Sequence, residues 1–298
     1  MSNNEKKILL IVNPRAGKMK SKHGLFNIIN YLNSSGYITT VHCTTGQNDA
    51  TQTVISQARE YDIVVCCGGD GTLNETISGI LSIPELIPIG YIPTGSTNDL
   101  ARTLGLPVKI KKSTGIIHHG TPTYLDIGSI NNEKYFSYIA SFGAFAKVSY
   151  KTSQKLKNWL GHFAYVLRGI KHLGEIHSYN LKVTSEDFKT EGSFIFGSVT
   201  NTTSIGGIVN FKKEDVDLSD GKFEVLLIRT PNNPVVLGRI LKGIVRKRYD
   251  ARYMFFFRTD HIEFEFENLA SWTTDGEFGG RHHKVSIDNL HNAIQIIK

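Results

Sequence analysis

The first regular feature of the chain is a run of five consecutive apolar residues, Ile8-Leu9-Leu10-Ile11-Val12, which follows two lysines and stops at Asn13-Pro14. An unbroken run this short predicts a strand over 6–12 buried on both faces, as strands of parallel sheets are, and the Asn-Pro pair ends it in a turn. A helix is predicted from about residue 22 to 33, then a short strand over 38–43, then a helix over 50–60 that Asp49 can cap. Two more continuous runs, 62–67 and 87–92, read as further buried strands, and the second leads into a short helix over 100–104. Strand alternating with helix predicts an α/β domain with right-handed crossovers, whose ligands gather at the carboxyl ends of the strands.

Beyond about Tyr124 the period changes. Segments 124–130, 135–142, 180–183, 192–199, 223–228 and 261–266 are short, alternating and separated by Gly, Asn and Asp turns, which predicts an antiparallel β domain. The expected division is 1–124, with a last strand at 290–298 able to complete that domain, and 125–289. Two helical stretches, 151–173 and 234–249, interrupt the second region. In the latter, Val236, Leu237, Ile240, Leu241 and Ile244 recur at three- and four-residue intervals among Arg239, Lys242, Arg246, Lys247 and Arg248. Such a helix fits either packing on the β domain with a solvated basic face or lying on an anionic lipid surface. The other stretch sets Trp159 beside Lys155 and Lys157, a composition suited to a membrane interface.

Composition adds limits. With 298 residues, 40% of them hydrophobic, the chain can bury a substantial core and is not a disordered protein. The net charge of +7 attracts anions, whether nucleotides, nucleic acid or an acidic bilayer, without choosing among them. Of three cysteines, Cys66 and Cys67 are adjacent in a predicted strand, which points to a reducing, cytoplasmic setting. No apolar stretch approaches the roughly 18 residues of a membrane span, so any membrane contact is expected to be peripheral.

The candidate chemistry sits where the strands end. The segment YDIVVCCGGDGTLNETISGI carries an apolar strand into Gly68-Gly69-Asp70-Gly71-Thr72, and a helix opens at once through Leu73, Asn74 and Glu75. Glycines let backbone approach an anion, and the free N–H groups of a helix start favour phosphate. Asp70 beside phosphates calls for a bridging divalent cation or an acid–base role. A second loop, Pro93-Thr94-Gly95-Ser96-Thr97-Asn98-Asp99, and a third, Asn13-Pro14-Arg15-Ala16-Gly17-Lys18, end strands in the same domain. Each alone reads equally as ordinary capping; three in one domain do not. Neither G-x-x-x-x-G-K-[ST] nor a complete G-x-G-x-x-G occurs, which disfavours P-loop NTPases and ordinary dehydrogenases.

These three loops, with Leu100-Ala101, Asp217-Leu218-Ser219-Asp220-Gly221 and Thr274-Asp275-Gly276-Glu277, resemble the successive motifs of the diacylglycerol kinase catalytic domain, and the resemblance runs over nearly the whole chain. It implies a Rossmann-like N-terminal α/β domain that binds ATP and a C-terminal antiparallel β-sandwich that takes a lipid substrate, as in diacylglycerol and NAD kinases. ATP would be held by Asn13, Pro14, Arg15, Ala16, Gly17, Thr44, Gly68, Gly69, Asp70, Gly71, Thr72, Leu73, Asn74 and Ser96, the last standing where threonine is usual. The resemblance further implies a catalytic base in the 275–277 turn, Asp275 first and Glu277 as its rival. Asp70, Asp99 and Asp126 would surround a catalytic Mg²⁺, directly or through water. A second, structural Mg²⁺ is implied at the Asp220 carboxylate and backbone carbonyls near Asp217 and Lys222. The reading is a cytoplasmic lipid kinase, peripheral to the inner face of the membrane, with diacylglycerol as leading acceptor and no nucleic-acid partner. Phosphatidylglycerol and sphingoid-base kinases, NAD kinase and a nonenzymatic nucleotide sensor are the alternatives, and a homodimer is left open.

Overall fold

A computed structural model describes residues 5–143, 177–202, 204–205, 209–210, 217–246 and 250–298. The whole of the expected helix over 151–173, with Trp159, lies outside them, as do Lys247 and Arg248. The chain divides into two compact units, residues 1–126 with 292–298, and residues 127–291.

In the first unit the strands β1 (Lys6–Val12), β2 (Tyr37–Cys43), β3 (Ile63–Gly68) and β4 (Ile89–Pro93) are all parallel, in the order β2-β1-β3-β4. The final residues of the last strand, β15 (Glu277–Ile297), continue the sheet, with Ile296 opposite Ile89. The helices are α1 (Lys20–Ser34), α2 (Asp49–Gln57), α3 (Asp70–Leu81), α4 (Asp99–Thr103) and α5 (Ile110–His119). Burial explains the apolar runs: every residue of 8–12 in β1 and all six of β3 are buried, and Ile8, Leu10, Val12, Val65 and Ile92 join Ile28 and Leu32 of α1 in one core. This strand order has its switch point at β1 and β3, because the chain leaves β1 for β2 on one side and returns to β3 on the other. The loops after those two strands therefore diverge and leave a crevice where ligands of such sheets bind.

Two local expectations change. Asp49 is the first residue of α2 rather than its cap, and its carboxylate accepts the N–H and hydroxyl of Thr45 at 2.7 and 2.8 Å, which hold it down at about 2. The start of α2 is capped by Glu75 of α3, which accepts the N–H groups of Asn48 and Ala50 at 2.8 and 3.2 Å. The thiols of Cys66 and Cys67 are buried, and burial pushes that of Cys67 up to about 12, whereas Cys43 is exposed. Ellman's reagent should therefore titrate one thiol in the native protein and three in denaturant.

The second unit holds the end of β5 (Pro122–Ile130), then β6 (Lys134–Phe136), β7 (Ile139–Gly143), β8 (Tyr179–Thr184), β9 (Lys189–Thr200), the short pair β10 (Ser204–Ile205) and β11 (Val209–Asn210), and β12 (Phe223–Arg229). A helix, α6 (Pro234–Arg246), precedes β13 (Met254–Thr259) and β14 (His261–Thr274), and β15 follows. Among the described residues the strands pair antiparallel, β10 with β11 in a small sheet of their own and the rest in one connected network. The long strands β9 and β14 each pair with β8 through one half and with β7 through the other, so the four form a ring of pairings. The core holds Phe142, Phe194, Phe223, Phe264 and Trp272, all without exposure, and Phe142 and Trp272 lie 5.1 Å apart, centroid to centroid.

Val236, Leu237 and Ile240 of α6 are buried, while Val235, Arg239 and Lys242 are exposed. The first part of its apolar stripe is thus covered by protein, and Arg239 and Lys242 face outward beside Val235. Among the described residues no helix is long and apolar enough to cross a membrane.

Candidate active site

Three loops of the first unit meet at the carboxyl end of its sheet. Asn13, directly after β1, donates its N–H to the carbonyl of Cys67 at 2.9 Å and its side-chain amide to the Thr72 hydroxyl at 2.9 Å. Its side-chain Oδ1 accepts the N–H of Arg15 at 2.9 Å, closing the turn that starts the 13–17 loop. Thr44 donates its N–H to Val12 at 2.8 Å, which brings the end of β2 beside the same loop. Thr94 donates its N–H to Gly68 at 2.8 Å, and a Cβ on Gly95 would lie 2.6 Å from Gly69 Cα. Gly17 has φ +49, and a Cβ there would strike the Thr94 carbonyl oxygen. Glycine at these positions lets three backbones come into contact, which side chains would prevent.

A side-chain clasp completes the arrangement. Thr97 donates its hydroxyl to Asp70 Oδ2 at 2.9 Å, tying the loop after β4 to the first residue of α3. Asn98 takes the left-handed conformation at φ 50 and donates its amide to the Gly95 carbonyl at 3.0 Å, which holds the second loop in shape. Sequence alone singles out Ser96 and Asp99 of this loop and misses Thr97 and Asn98; Ser96 is exposed. Of the other predicted contacts, Arg15 is exposed and Asn74 partly so, whereas Leu73 is fully buried and donates its N–H to Gly69 at 3.0 Å. Leu73 therefore seats α3 in the core instead of presenting a group to a ligand. The twelve-residue α3 points its N-terminus at the meeting of the loops, where first-turn N–H groups and the helix dipole favour an anion.

In the second unit, Asp275 and Gly276 form the two-residue turn between β14 and β15, both with positive φ (48 and 83), and Thr274 pairs with Glu277 across it. Asp275 is 8% exposed. Its Oδ2 accepts the N–H and hydroxyl of Ser137 at 2.7 and 2.9 Å, and its Oδ1 accepts the N–H groups of Tyr138 and Ile139 at 3.0 and 3.1 Å. These donors explain why the expected strand over 135–142 breaks into β6 and β7: at 137–139 the backbone turns its N–H groups to a carboxylate. A carboxylate has about four acceptor positions, and all four are used. Burial raises the Asp275 carboxyl above its ordinary value, against the pull of the four donors. Glu277, two residues on, is exposed.

The acidic residues divide by surroundings. Asp70 and Asp99 open α3 and α4 at the loop cluster, and Asp99 lies 3.7 Å from Arg102. Their carboxylates have the chemistry to hold a divalent cation beside phosphates. Asp126 differs: it is wholly buried and accepts the N–H of Asn292 at 2.7 Å, where β15 bends through a residue with φ 52. It is a buried anchor of β15, unlike Asp70 and Asp99 at the loop cluster. In the second unit, Asp217 Oδ1 accepts the N–H and hydroxyl of Ser219 at 3.1 and 2.9 Å, Asp220 Oδ1 accepts the N–H of Lys222 at 3.0 Å, and Asp220 Oδ2 is paired with Arg258. Both oxygens of Asp220 and Oδ1 of Asp217 are thus engaged within the protein.

Comparisons with known proteins identify the family. Residues 7–130 match the model of the diacylglycerol kinase catalytic domain. A diacylglycerol kinase from Bacillus subtilis is 29% identical over 98% of this chain and 96% of its own, and one from Staphylococcus aureus (strain MRSA252) is 32% identical over 93% and 87%. A crystal structure of a diacylglycerol kinase from Bacillus anthracis, 23% identical, covers 98% of this chain and 96% of its own with a TM-score of 0.75, which shows the fold. The chain belongs to the diacylglycerol kinase catalytic-domain family.

Proposed function

We propose that this protein transfers the γ-phosphoryl group of ATP to a lipid hydroxyl, with diacylglycerol as acceptor and phosphatidic acid as product. The observation that carries this reading is the convergence of the three strand-end loops, clasped by Thr97 and Asp70, at the switch point of a parallel sheet. Relatives matched over nearly the full chain bear the name diacylglycerol kinase, which supports the acceptor.

In this reading the first unit is the nucleotide-binding domain: Gly68 to Thr72, Thr94 to Thr97 and Asn13 to Gly17 surround the phosphates, with N–H groups at the start of α3 facing them. Mg²⁺, at Asp70 and Asp99, supplies charge neutralisation when bound. The second unit serves the lipid. Transfer requires a group to accept the proton of the attacking hydroxyl. Glu277 fits that role because its carboxylate is exposed, whereas that of Asp275 already accepts four hydrogen bonds. Asp275 then acts by fixing the turn that carries Glu277. The outward basic residues of α6, Arg239 and Lys242, suit peripheral attachment to an anionic cytoplasmic leaflet.

Thr97→Val removes the clasp on Asp70, at a cost of about 1 kcal/mol in stability. It should raise KM for ATP several-fold while kcat holds, which steady-state kinetics at saturating lipid reads directly. The reaction itself is tested with labelled ATP, Mg²⁺ and a panel of diacylglycerol, phosphatidylglycerol, sphingosine and NAD⁺. Label in phosphatidic acid supports the proposal; label confined to NADP⁺ or to another lipid overturns it.

A further inference from the structure

The 217–222 turn and its neighbours hold a feature that the kinase reaction does not use. Asp220 gives one carboxylate oxygen to the N–H of Lys222 at 3.0 Å and the other to Arg258, while Asp217 turns onto Ser219. Close by is Glu224, whose side chain is 2% exposed and whose carboxyl is pushed up to about 7 by burial, against the pull of Arg258. It faces Arg258 Nε at 3.3 Å. This is not a loose surface pair. Glu224 in β12 and Arg258 in β13 stand directly opposite in the antiparallel register, so the strand pairing itself sets the guanidinium over the buried carboxylate. The planar fork of an arginine carries donors enough to serve two carboxylates from one position, which a lysine ammonium does less well.

We propose that Arg258 is the built-in cation of this turn, its guanidinium standing between Asp220 and the buried Glu224 where a divalent ion would otherwise be needed, so that the second unit holds the turn without metal. A divalent ion on the Asp220 carboxylate has to displace Arg258. Doing so strips the counter-charge from Glu224, which burial already pushes up to about 7, so that the carboxyl must take up a proton or stand uncompensated, either at a cost. Mg²⁺ gives up its waters reluctantly and competes poorly with a guanidinium already fixed by strand register. Since Arg258 and Asp220 are 37% and 26% exposed, their own attraction is screened; the buried Glu224 is what anchors the group.

The test uses the full-length protein without nucleotide or lipid, so its outcome is separate from that of the kinase assay. Thermal unfolding is followed in EDTA and in millimolar Mg²⁺. The shift between the two midpoints should be the same for the wild-type protein and Asp220→Asn within about 1 °C, since any Mg²⁺ held at Asp70 and Asp99 acts on both. Arg258→Gln should unfold several degrees lower in EDTA and recover part of that loss in Mg²⁺, because the vacated position now takes the ion. A Mg²⁺-dependent rise in the wild-type midpoint that Asp220→Asn abolishes overturns the proposal, as does an Arg258→Gln protein no more responsive to Mg²⁺ than wild type. Should Arg258→Gln fail to fold, Mn²⁺ titration followed by electron paramagnetic resonance on wild type and Asp220→Asn decides. Identical isotherms support the proposal, and an equivalent of Mn²⁺ lost in Asp220→Asn overturns it. Any Mn²⁺ held at Asp70 and Asp99 contributes equally to both proteins and cancels.

Discussion

Glu277→Gln is expected to lower kcat for lipid phosphorylation by roughly 10²- to 10⁴-fold, the usual contribution of a positioned general base. The side chain is exposed and the substitution keeps its size, so stability should change by no more than about 0.5 kcal/mol. ATP affinity should also hold, because the nucleotide loops belong to the other unit. Three measurements on one protein therefore bear on the assignment: kcat, the unfolding midpoint and the dissociation constant for ATP. A fall in kcat alone is the signature of lost chemistry. Retention of at least a tenth of wild-type kcat, with the unfolding midpoint unchanged, would remove Glu277 as the base.

Asp275→Asn should act differently. The amide tolerates the left-handed φ of 48, so the turn itself is not the difficulty. The difficulty lies with Ser137, Tyr138 and Ile139, whose donors surround both carboxylate oxygens. Either orientation of an asparagine amide places its NH₂ against two of those donors, and a buried, charge-assisted network loses its charge. The expected loss is roughly 3–5 kcal/mol of stability, read from denaturant unfolding. Activity should fall with it, since Glu277 sits on the same turn. An Asp275→Asn protein of unchanged stability and abolished turnover would instead mark Asp275 as the base and contradict the division of roles.

Much of the first unit was legible because its signals are local. Five apolar residues in β1 and six in β3 are buried by neighbours on both faces, and that demand is written in consecutive positions. The glycine-rich turn into α3 was equally readable, since strand, turn and helix N-terminus follow one another without interruption. What escaped reading is what depends on partners distant in sequence. Asp275 meets Ser137 across 138 positions and Asp126 meets Asn292 across 166, and nothing near either residue distinguishes a buried anchor from a solvated turn. Glu75 looked like part of the phosphate motif, yet it caps α2, 25 to 27 positions earlier. The α6 stripe shows the same limit: periodicity identified an apolar face, but only tertiary packing shows that protein covers Val236, Leu237 and Ile240 of it. Register accounts for Arg258 too, since only the alignment of β12 with β13 places it over Glu224.

The most direct measurement follows the products of a single turnover by ³¹P nuclear magnetic resonance, with the protein in excess over ATP in mixed micelles of a short-chain diacylglycerol and Mg²⁺. The account predicts ADP and phosphatidic acid appearing together in equal amounts, with no inorganic phosphate. ADP accompanied by inorganic phosphate alone, or no consumption of ATP in the presence of diacylglycerol, would contradict it.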